Sequence, residues 1–80
     1  MTTPAQIRAG RHLADLSQAD VSKATKLSVP TIKRAESERE VSVSPGAVAA
    51  IRKALEKAGV IFVDENGDGP GVRLRKGKRK

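Results

Sequence analysis

Four helix-start signals divide the first three quarters of this chain. Thr3-Pro4, Ser17, Ser28 with Pro30, and Ser44-Pro45 each place a hydroxyl residue where it can cap a helix. Three of them add a proline in the first turn, where its missing N–H costs nothing. Such punctuation permits only short helices. The apolar residues agree with it: Ile7, Gly10, Leu13, Ala14 and Leu16 recur at three and four along the first segment, and Val48, Ile51, Leu55 and Ala58 along the fourth. The second segment runs from Gln18 to about Thr25, with Asp20 at the capping-box position and Val21 and Ala24 inward. In the third, Ile32 and Ala35 face inward and Lys33 and Arg34 outward. Ser37 to Val43 reads as a loop, and Gly59 is a helix stop. Beyond it the period changes: Val60–Val63 and Val72–Arg75 read as the strands of a β-hairpin around the turn formers Asp64 to Gly71.

Composition limits the core. At 80 residues the chain holds one small domain, which buries only about 60% of its unfolded surface. It has no Cys, Trp or Tyr, and Phe62 is its one aromatic residue, so the core must be aliphatic. Disulfides and thiolate metal sites are excluded. No apolar run approaches the roughly 20 residues that span a bilayer. The N-terminal MTTPAQIRAG carries no signal-like apolar stretch, so the expected compartment is the cytoplasm.

The net charge of +7 suggests an anionic partner. Its distribution is uneven. Residues 1–36 hold six basic and three acidic side chains, whereas residues 73–80 hold six basic and no acidic ones. The tail from Lys76 to Lys80 is expected to be disordered and able to add non-specific phosphate contacts.

Ser17 to Glu36 carries the functional signal. Two short helices follow one another across the connection Lys26-Leu27-Ser28, and Val21, Ala24, Leu27, Ile32 and Ala35 can gather into one cluster between them. That is the spacing of a helix-turn-helix, whose second helix can enter a DNA major groove. The outward residues there are Thr31, Lys33 and Arg34, and the backbone N–H groups beside Ser28 suit a phosphate.

With these residues the chain resembles the phage-repressor type of bacterial helix-turn-helix regulators, the XRE family. The resemblance spans about residues 5–58 and is densest over Ser17–Glu36. It implies a mainly α, four-helix DNA-binding domain over residues 1–59. Here that domain is followed by a hairpin at 60–75, a possible dimerisation element, and a basic tail at 76–80. It implies a bacterial or phage-encoded regulator, a repressor in the first instance, bound to operator DNA as a homodimer. Gln18 would touch a phosphate. Val29, Pro30 and Arg34 would reach base edges, with Thr31 and Lys33 beside them and Lys23, Lys26 and Ser28 completing the interface. Arg11 and Glu36 would form a structural ion pair. The chain departs from the family at Lys26, where a left-handed turn position usually holds Gly; Lys there should cost about 1 kcal/mol. Val29 and Pro30 offer only apolar contact, for example to a thymine methyl, so hydrogen-bonded readout falls to Arg34, whose commonest base partner is guanine.

Other motifs are set aside. Asp64, Asn66, Asp68 and Gly69 match the first half of a calcium loop, but the closing position holds Arg75 in place of Glu. Gly67, Gly69 and Gly71 miss the dinucleotide spacing by one residue. His12 has no Cys or second His with which to bind a metal. No cofactor and no catalysis are expected. The hairpin residues Val60, Ile61, Phe62, Val63, Val72 and Leu74 are apolar enough on both faces for a second copy to meet them. A different class remains open: an interaction protein, antitoxin or anti-activator, that keeps this fold and acts through a protein partner.

Overall fold

A computed structural model describes residues 2–39 and 43–76. Four helices precede a hairpin: α1 (Pro4–Leu13), α2 (Gln18–Thr25), α3 (Val29–Ala35), α4 (Pro45–Lys57), β1 (Val60–Val63) and β2 (Gly71–Leu74). Each helix begins at its expected cap. The side chains of Thr3, Ser17, Ser28 and Ser44 accept hydrogen bonds from the backbone N–H of Gln6, Asp20, Thr31 and Ala47. Asp20 returns the bond to Ser17 as a capping box. Gln6 does the same for Thr3. Among the described residues no helix is long and apolar enough to cross a membrane.

The helices and the hairpin share one aliphatic core. Ile7, Val21, Ile32, Ile51, Leu55 and Val60 are fully buried, joined by Ala14, Ala35 and Phe62. Burying each large side chain contributes about 1.5–3 kcal/mol. Gly10 sets the distance between α1 and β1: a Cβ there would lie 3.1 Å from Val60 Cγ1 and 3.5 Å from Leu55 Cδ1.

The strands pair antiparallel, Val60 with Leu74, Ile61 with Arg73, Phe62 with Val72 and Val63 with Gly71. The second strand lies one residue earlier than its alternation suggested, because Gly71 pairs while Arg75 donates its N–H to the Gly59 carbonyl at 2.6 Å, beyond the strand. Gln6 fastens the far end. Its Nε2 donates to the carbonyls of Val63 and Gly71, each at 3.0 Å, and its Oε1 accepts from Thr3 N–H at 2.9 Å. Arg52 of α4 lies 4.8 Å from the Phe62 ring centroid and donates to Glu56, Asp64 and Thr2. The hydrogen bond to Glu56, helped by Asp64, holds its pKa above the ordinary arginine value against a lowering by burial. In the turn, Glu65 Oε2 accepts from the N–H groups of Gly67 and Gly69, both of which have positive φ.

Some expected positions differ. Leu13 is 41% exposed, since it lies a quarter turn from the Ile7–Gly10–Ala14 face, just before the chain turns at Asp15 with φ 60°. Ala24 is also exposed. Helix α2 is rotated so that Ser22 and Thr25, not Ala24, face the turn into α3. Val60 and Phe62, expected among the dimerisation residues, are sealed in the chain's own core, and Val72 and Leu74 pack partly against it. That leaves Ile61 and Val63, half-buried, on the outer face. Within the expected loop, residues 40–42 lie outside the described residues, as does the basic tail from Gly77 onward.

Candidate nucleic-acid interface

The α2–α3 corner is built by side chains that satisfy its backbone. Lys26 ends α2 in the left-handed conformation, φ 64°, as its place in the turn required. Its N–H donates to Ser22 O at 2.7 Å. The Ser22 hydroxyl donates to Leu27 O, and Thr25 Oγ1 donates to Val21 O at 2.8 Å while accepting from Leu27 N–H at 3.2 Å. These bonds hold a non-glycine residue in a conformation it disfavours. Ser22 and Thr25 were missed in the sequence because a Ser or Thr late in a helix is usually solvated. The signal was their position just before a turn that lacks its glycine.

Helix α3 is anchored from one side only. Ile32 and Ala35 enter the core. Pro30, Lys33 and Arg34 are exposed on the opposite side, with Val29 and Thr31 half-buried at its flanks. Along one edge runs a line of hydrogen bonds. Ser28 Oγ lies 2.9 Å from Thr31 Oγ1, and Arg34 Nη2 donates to Thr31 Oγ1 at 3.3 Å. Lys23 and Lys26 are exposed near the end of α2. Among the described residues Lys23, Lys26, Lys33 and Arg34 form no salt bridge.

The acidic residue closing α3 is neutralised internally. Glu36 is 5% exposed. Arg11 Nε donates to its Oε2 at 2.5 Å, and Arg11 Nη2 to its Oε1 at 3.1 Å. Gln18 Nε2 adds a third bond to Oε1 at 3.2 Å. Arg11 Nη1 also donates to Leu16 O at 3.0 Å, across the α1–α2 turn. Arg8, not singled out in the sequence, donates to the Glu36 carbonyl at 2.7 Å. The expected Arg11–Glu36 pair is therefore present and two-pronged. Gln18, expected at a phosphate, lies beside that pair with its carboxamide nitrogen engaged. Thr31, expected to support base contacts, accepts a hydrogen bond from Arg34.

The corner thus presents a cationic helix face, and the nearby Glu36 carboxylate is buried in its pair with Arg11. The six hairpin residues expected at a dimer contact lie on other elements and do not join this face. No protein-family model matches the chain, and no curated protein matches it.

Proposed function

We propose that this protein is a cytoplasmic, sequence-specific DNA-binding regulator of transcription, acting as a repressor, with α2 and α3 as a helix-turn-helix and α3 in the major groove. The observation that carries this reading is the exposed face of α3. Pro30, Lys33 and Arg34 are exposed on a helix whose other side is buried, and no salt bridge among the described residues occupies the two cations. In this reading Arg34 contacts a guanine edge, Lys33 with Lys23 and Lys26 lies near phosphates, and Val29 and Pro30 make apolar contacts. One such helix reads only a few base pairs. Useful specificity requires a homodimer on half-sites one helical turn apart.

Selection of bound sequences from a random duplex pool tests the reading. The expected result is a palindromic motif containing guanine in each half-site. In a shift assay, replacing Lys33 and Arg34 together by Ala should abolish retention of that motif. Equal retention by wild type and the double variant would sink the reading.

A second reading is supported by Ile61 and Val63, which are half-buried on the outer face of the hairpin beside Arg73. There the fold would act through a protein partner as an antitoxin or anti-activator. A partner that co-purifies with both the wild type and the double variant, with no DNA motif selected, favours it.

A further inference from the structure

We infer that Thr31 is a positioning residue that aims Arg34 at its base. The inference rests on the DNA-binding reading and deepens it. Thr31 is half-buried, and its hydroxyl is engaged on both sides: Arg34 Nη2 donates to it at 3.3 Å, and Ser28 Oγ lies 2.9 Å away. Ser28 is itself fixed as the N-cap of α3, accepting from Thr31 N–H at 3.3 Å. The line Ser28–Thr31–Arg34 therefore ties a flexible guanidinium to the capped first turn of its helix.

Physically this is preorganisation. An arginine swinging through solvent loses rotamer freedom when it pairs with a base, and a side chain already held loses less. The geometry also leaves the reading edge open. Only one N–H of Nη2 is directed at Thr31, so the second Nη2 hydrogen, with Nη1 or with Nε beside it, can still form the bidentate pair with guanine O6 and N7. The Thr31 hydroxyl accepts from Arg34 and shares a hydrogen bond with Ser28, so two of its three hydrogen-bonding positions are already used within the helix. The site would therefore discriminate guanine through Arg34, with Thr31 setting how sharply.

The test uses the full chain and the duplex selected from the random pool. Affinity is measured by fluorescence anisotropy at fixed salt, for that duplex and for versions with each guanine replaced. Arg34→Ala should erase the preference for guanine at one position per half-site. Thr31→Val keeps the branched shape and removes the hydroxyl. It should reduce the preference at that same position about 3- to 10-fold, the effect of one newly mobile side chain, and leave other positions unchanged. Thr31→Ser should restore it. A separate measurement needs no DNA: the order parameter of the Arg34 Nε–H bond in the unbound protein should fall in Thr31→Val and recover in Thr31→Ser. Unchanged guanine preference together with an unchanged order parameter overturns the inference and leaves the DNA reading intact. So does a uniform loss of affinity at all positions that Thr31→Ser does not rescue. A pool that yields no motif overturns both.

Discussion

Arg11 holds Glu36 by two parallel N–H donors, at 2.5 and 3.1 Å, in a site where the carboxylate is 5% and the guanidinium side chain 12% exposed. The pair joins the end of α1 to the end of α3, residues 25 apart in sequence. Through Gln18 it also reaches the start of α2. Surface ion pairs are worth little, but a buried, two-pronged pair behaves differently, because removing one partner strands the other charge.

Glu36→Ala should therefore destabilise the protein by about 3–5 kcal/mol, a loss that threatens folding in a domain of this size. Glu36→Gln keeps the shape and one acceptor, and should cost less. Urea unfolding of both variants checks the order. Equal midpoints for Glu36→Ala and the wild type would show the pair to be dispensable.

Gln6→Ala should cost about 1–3 kcal/mol, since it leaves the carbonyls of Val63 and Gly71 without this donor and removes half of the Thr3 capping box. Gln6→Glu should be worse at neutral pH, because a carboxylate would face two carbonyl oxygens in a buried site. Those neighbours raise the folded-state pKa of the introduced acid above its unfolded value. Its destabilisation should then grow as pH rises through the carboxylate range and shrink in acid. Thermal unfolding at pH 4 and pH 7 measures the difference.

Lys26→Gly should stabilise the protein by about 1 kcal/mol, because glycine adopts the left-handed turn conformation without the steric penalty that lysine carries. The same change should lower affinity for duplex DNA and flatten its salt dependence if Lys26 lies near a phosphate. Stability and salt slope are read from separate experiments, so the two consequences can be told apart.

Gly10→Leu should destabilise by about 1–3 kcal/mol through overpacking, as even a Cβ meets Val60 at 3.1 Å. Gly10→Ala is a milder case, in which crowding is set against a better helix propensity of about 1 kcal/mol. Denaturant midpoints should rank the wild type and the alanine variant close together, with the leucine variant well below.

The elements of this fold were legible because their causes are local. A capping hydroxyl needs only the residue three ahead, so Thr3, Ser17, Ser28 and Ser44 marked every helix start in the sequence. Gly59 and the turn-forming stretch after Asp64 marked the change to a hairpin for the same reason. The outward placement of Lys33 and Arg34 followed from helical periodicity around Ile32 and Ala35.

Only tertiary structure decided what depends on partners far along the chain. Gln6 reads as a polar helix residue until it meets carbonyls 57 and 65 residues away, where it must be buried to satisfy them. Phe62 and Val60 read as equally available to a second copy until Gly10 lets the strand settle against α1. Ala24 yields its expected inward place to Ser22 and Thr25, whose hydroxyls bond the backbone around the turn that lacks its glycine. Periodicity assigns a face to each element. Which face is covered, and which polar groups are drawn in with it, depends on how the elements dock.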